Sequence, residues 1–115
     1  MTTPPRTTTE TVDPVRVLTE VIQILSRCAD LGLADSRPAA LAMGLGADLV
    51  AQQAMDLIPD VALEVNADRS VLQETDPVAL LQAAERLTRH PIEVFPAGMS
   101  QVIVGICDLI RQNVP

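Results

Sequence analysis

The segment Gly44-Leu45-Gly46-Ala47-Asp48-Leu49 sets two glycines near the start of a helical stretch, a spacing with which a backbone turn can cradle a pyrophosphate. That chemistry needs a preceding strand, a third glycine three residues after the second, and helix N–H dipoles with no anion competing for them. Here Leu49 stands where the third glycine belongs, no strand pattern precedes the segment, and Asp48 would place a carboxylate against the phosphate. The sequence therefore predicts no nucleotide site. It gives Gly44 and Gly46, and with them Gly105, a role in helix packing. They either let another helix approach closely or permit a kink, at a cost of about 1 kcal/mol each relative to alanine.

The other residues able to do chemistry lack partners in the sequence. His90 is the one histidine, placed before Pro91 at a predicted helix end, where an imidazolium would favour the C-terminal dipole. As a general base it has no neighbouring nucleophile to activate. Asp48, Gln52 and Asp56 follow one another along one helix face, and Asp108 matches Asp56 in the second half of the chain. A di-metal bundle site, however, uses glutamates with Glu-x-x-His pairs, and none occurs here. Cys28 and Cys107 stand far apart in no metal-binding or redox spacing, and are read as reduced packing residues. The serines have no basic neighbour and no Gly-x-Ser-x-Gly turn. No cofactor, metal or catalytic residue is expected.

Composition narrows the field further. At 115 residues the chain is long enough for one core and too short for two. It carries a net charge of −7, contains no lysine, and scatters its eight arginines singly, so no basic patch is available to a phosphate backbone. With Phe95 as the single aromatic, it also lacks a platform on which bases could stack. Nucleic acid is excluded as a partner on both counts. The longest apolar run, Val102 to Cys107, falls far short of the ~20 residues that span a bilayer, and residues 1–12 lack the apolar stretch of a secretory signal. A cytoplasmic protein is expected. Arginine in place of lysine, with abundant alanine and proline, fits the codon bias of a GC-rich bacterial genome.

The elements that must position these residues are helices. Asp13-Pro14 and Asp76-Pro77 each join a capping carboxylate to a proline that loses nothing at a first helical position. Helical periodicity predicts helices over residues 14–31, 38–58, 77–90 and 96–112, with Gly32 capping the first and Pro59 stopping the second. The last, with Met99, Val102, Ile103, Ile106, Leu109 and Ile110 on its apolar side, reads as the most buried. Residues 1–12 read as a disordered arm and residues 13–115 as a single helical domain. Between the second and third helices, Val61, Leu63 and Val65 alternate like a short strand, while residues 68–74 suit a helical turn. The fold class that follows is all-α, a four-helix bundle of two αα-hairpins. Asp-Pro-Val opens both halves, and Gly46–Ile58 aligns without gaps to Gly98–Ile110 at glycine, valine and the closing Asp-Leu-Ile, which raises internal duplication.

One pattern does not fit a monomeric bundle. On a straight second helix, Leu41, Leu45 and Leu49 form a stripe on the side of Asp48 and Gln52, facing away from Val50, Ala54 and Ile58. Either the helix bends at its glycines so that both stripes meet one core, or the first stripe is a protein interface. The second reading leads to a small regulatory or interaction module without catalytic activity, a homodimer that also binds another protein. A bundle whose aliphatic interior takes up an apolar small molecule is the alternative, and an enzyme subunit dependent on partner chains is a third.

Overall fold

Asp13 starts the first helix by accepting backbone N–H groups from Val15 and Arg16, at 3.1 and 3.4 Å. The computed structural model describes residues 13–58 and 73–113. The arm expected over residues 1–12 and the alternation at Val61, Leu63 and Val65 lie outside them. Among the described residues there are four α-helices, α1 (Pro14–Leu33), α2 (Pro38–Met55), α3 (Pro77–Leu87) and α4 (Met99–Asn113), and no strand. No helix among them is long and apolar enough to cross a membrane.

The ends differ from expectation for identifiable reasons. Gly32 is not the cap of α1 but a buried residue inside it, and the Ala34 N–H closes the helix on Asp30 O at 3.0 Å. After Met55 the chain tightens into three-residue bonds, Leu57 N to Ala54 O and Ile58 N to Met55 O, so α2 stops short of Ile58. Thr88 ends α3 before His90, its hydroxyl donating to Glu85 O at 2.6 Å. Asp76 caps the other end of α3, accepting the Val78 N–H at 3.1 Å. A single 3₁₀ turn at Ile92–Val94 follows, and Gly98 at φ 99°, a left-handed conformation natural to glycine, delays α4 until Met99.

Each large helix contact is antiparallel. α1 packs on α2 and α3, and α4 packs on α2 and α3, so the order around the bundle is α1, α2, α4, α3. The ends of α1 and α4 meet the starts of α2 and α3 at one pole, where Cys28 Sγ lies 3.7 Å from Pro77 O. The chain forms two αα-hairpins, α1–α2 and α3–α4, laid side by side. One apolar cluster runs through all four helices, from Leu18, Val21 and Leu25 through Ala47 and Ala51 to Leu80, Leu81, Val102 and Ile106.

The most buried helix is α1, not α4. Besides its periodic apolar residues it buries Ile24 and Thr19, whose hydroxyl is bonded to Val15 O at 2.8 Å, while α4 leaves Val104 largely exposed. Among the described residues, no further layer of protein covers the outer side of α4.

Glycines set the closest approaches. Gly32 and Gly44 lie back to back: a β-carbon on Gly32 would stand 2.6 Å from Ala40 O and 2.7 Å from Gly44 Cα. On the α4 side two glycine contacts are alike. A β-carbon on Gly46 would meet Leu109 Cδ2 at 2.6 Å, and one on Gly98 would meet Leu57 Cδ2 at 2.9 Å. The alignment of Gly46–Ile58 with Gly98–Ile110 equates Gly46 with Gly98 and Leu57 with Leu109. The two contacts therefore correspond to one another under that alignment, whereas Gly105 against Val50 has no glycine counterpart, since Gln53 stands at the matching position.

Candidate functional site

The seam between α2 and α4 leads outward to an exposed apolar strip. Each helix places a glycine beneath a branched residue of the other, Gly46 under Leu109 and Gly105 under Val50, where a β-carbon on Gly105 would come within 2.8 Å of Val50 Cγ2. The helices close up there, and the side chains next to the seam stand proud of it. Leu49 is 58% exposed and Val104 56%, on either side of a shallow groove of about 560 Å³. Gly46, Val50, Gly105 and Leu109 form its floor, and Gln53, Gln101 and Gln112 stand among its polar lining. Leu45, 60% exposed, extends the apolar strip along α2, and Leu41 is half-buried further toward the helix start.

Leu45 and Leu49 therefore remain outside the core, although α2 is a single helix from Pro38 to Met55. Its inner side is taken by Met43, Gly44, Ala47, Val50, Ala51 and Ala54. Among the described residues, α1 and α4 cover that inner side and leave Leu45 and Leu49 exposed.

Charge is sparse on this face. Asp108 is the one ionisable residue lining the groove, and its carboxylate is bonded by the Arg111 guanidinium one turn on. Nearby, Asp48 accepts the Gln52 side-chain amide at 2.8 Å. These are two of the residues considered for a metal site, and Asp56 lies apart from them at the C-cap of α2. Among the described residues, no group of three or more His, Cys, Asp or Glu side chains could hold a metal ion.

The remaining candidates are dispersed. Gly44 and Gly46 lie well inside α2, where backbone amides belong to the helix and cannot turn toward a phosphate. His90 is exposed beyond α3, its ring edge-on to Phe95 with centroids 6.2 Å apart. Cys28 and Cys107 are both free thiols. Burial, and after it the nearby Asp76 charge, pushes the Cys28 thiol up to about 11, and a thiol so held is a poor nucleophile.

A second concavity, of about 460 Å³, opens at the pole where α1 and α4 end and α2 and α3 begin. Leu31, Ala39, Ala40, Met43 and Val78 give it an apolar wall, and Asp35 and Arg37 also line it. Asp35 is held there by Arg37 twice, through a 2.6 Å ion pair and through the Arg37 backbone N–H at 2.9 Å. These hydrogen bonds lower its carboxyl to about 2.

Sequence reasoning missed Val104, the α4 half of the exposed strip. Val104 is out of phase with Met99, Val102, Ile106 and Leu109, and within an unbroken apolar run it reads as interior. The signal that could have separated it is its place beside Gly105. No family model, curated protein or solved structure matches this chain, so function has to be argued from the geometry above.

Proposed function

We propose that this chain is a small helical interaction module with no chemistry of its own, docking onto protein through the α2/α4 face. The observation that carries the reading is the exposure of Leu45, Leu49 and Val104 around a groove floored by glycine. An interface centre is typically apolar and depleted in charge inside a polar rim, and this face has that composition. Burying three aliphatic side chains that are more than half exposed would contribute about 1–2 kcal/mol each. Three of the residues able to do chemistry are otherwise engaged, Asp48 with Gln52, Asp108 with Arg111 and Cys28 in the core.

Photocrosslinking side chains placed singly at Leu49, at Val104 and, as a control on an exposed part of α3, at Gln82 test the reading in cells. Crosslinks to protein at Leu49 and Val104 but not at Gln82 support it. Equal crosslinking at all three, or none at any, overturns it.

The apolar wall of the cleft at the pole of the bundle favours a second reading, in which a small apolar molecule binds between Met43 and Val78. Organic extraction of the purified chain should then release such a molecule, and Ala39→Trp, which fills the cleft, should abolish its recovery.

A further inference from the structure

We infer that the partner seated on the α2/α4 face is an amphipathic helix with basic residues flanking its apolar side. The inference rests on the docking reading and specifies the chemistry of the partner.

Charge selects the sign. Residues 38–58 contain no basic residue, and their two carboxylates, Asp48 and Asp56, have no ion-pair partner among the described residues. Gln52 donates a hydrogen bond to Asp48 at 2.8 Å but leaves its charge in place. In helical register Asp48 borders the strip between Leu45 and Leu49, and Asp56 stands in line with it two turns beyond Leu49. Asp56 is also the C-cap of α2, where the helix dipole is negative and the last turn holds no cation to offset it. On α4 the single base, Arg111, is already bonded to Asp108. A cation supplied from outside would relieve both uncompensated carboxylates. The net charge of −7 draws such a partner in and turns away a nucleic acid, an anionic lipid surface or a second copy.

Shape selects the helix. The backbone of α2 and α4 is bonded within each helix, so the face offers no row of free N–H and C=O groups to an extended segment. A helix brings its own backbone bonds already made and needs only an apolar stripe to match the groove. Laid along the glycine-floored groove, it would set that stripe between Leu49 and Val104 and cover Leu45 on the α2 side. Gln53, Gln101 and Gln112 would meet its polar flanks, and its lysines or arginines would reach Asp48 and Asp56.

Fluorescence anisotropy with the full chain and two synthetic helical peptides decides the matter. The peptides share a leucine stripe at helical spacing and differ in their flanks, lysine in one and glutamate in the other. The lysine peptide should bind at micromolar concentration and the glutamate peptide should not. Leu49→Ser and Val104→Ser should each weaken the lysine peptide on the order of tenfold, as should Asp48→Asn combined with Asp56→Asn. Asp30→Asn combined with Glu93→Gln removes the same charge at exposed residues off the face, and should weaken it by about twofold or less. Far-UV circular dichroism of each variant verifies folding, and where a serine variant unfolds the alanine takes its place. No binding of the lysine peptide overturns the inference, as do equal binding of both peptides, indifference to the Leu49 and Val104 variants, and equal losses from the two carboxylate pairs. In each of those cases the docking reading survives if Leu49 and Val104 crosslink to protein in cells, and falls with the inference if they crosslink to none.

Discussion

Replacing Gly32 by alanine tests the α1/α2 contact where it is tightest. The new β-carbon would lie 2.6 Å from Ala40 O, 2.7 Å from Gly44 Cα and 2.8 Å from Gly44 N. All three are backbone atoms, so no side chain can rotate away, and the first contact is about 0.8 Å short of ordinary packing distance. The helices must part by that much, and a gap of this size forfeits about a quarter to a half of the dispersion energy along the seam. Overpacking of this kind costs about 3 kcal/mol, while alanine returns about 1 kcal/mol of helix propensity. Gly32→Ala should therefore destabilise the fold by about 2 kcal/mol. Gly46→Ala makes the informative comparison. Its β-carbon also reaches 2.6 Å, but against Leu109 Cδ2, the end of a side chain that can change rotamer for about 1 kcal/mol, so gain and cost nearly cancel. Urea unfolding followed by far-UV circular dichroism, with all variants at one protein concentration, measures both. If Gly32→Ala unfolds at the same urea concentration as wild type, or higher, the helices do not touch backbone to backbone.

Three further outcomes follow from the same structure. Asp13→Ala and Asp76→Ala each remove a carboxylate that accepts N–H groups at a helix start, and each should cost about 1 kcal/mol in thermal or urea unfolding. Asp35 titrates near 2 in the folded chain, below its ordinary 3.8, so its contribution is full above the ordinary value and is lost as pH falls toward 2. Carbon-detected NMR should find its pKa raised part of the way to the ordinary value in Arg37→Gln, which removes the guanidinium and keeps the backbone N–H. Cys28 keeps its proton in the fold to about 11, whereas the unfolded chain releases it near 9.0, so stability should decline as pH rises between those values. At pH 8 a thiol reagent should label Cys107 first and reach Cys28 on unfolding.

The class of the fold was legible because its signals are local. Asp-Pro pairs write two helix starts directly into the chain, and the apolar spacing of α1 and α3 points to one side of each helix. Helix ends were less legible because they depend on bonds that periodicity does not encode. Thr88 folding its hydroxyl onto Glu85 O and Gly98 taking a positive φ are decisions of single residues. Gly32 shows a different limit. A glycine near a helix end reads as a cap, and only the presence of Gly44 across the contact makes it a packing residue inside the helix.

The exposed face was half legible, for a reason that bears on its use. Along α2 the apolar residues are spread around the helix, and a helix apolar on all sides belongs in an interior. In one chain α2 has α1 and α4 as its large helix contacts, which leaves Leu45 and Leu49 uncovered. The pattern is resolved when something covers that side. Along α4, by contrast, one-sided spacing satisfies the bundle, and Val104 adds a single apolar side chain outside it. No periodicity marks such a residue, because what makes it significant is its position across the groove from Leu49, a relation between two helices that meet only in the fold. A sequence can reveal that a helix has too many apolar sides. Which neighbour shares the surplus is set by packing, and here the glycines at 46 and 105 bring the two strips together.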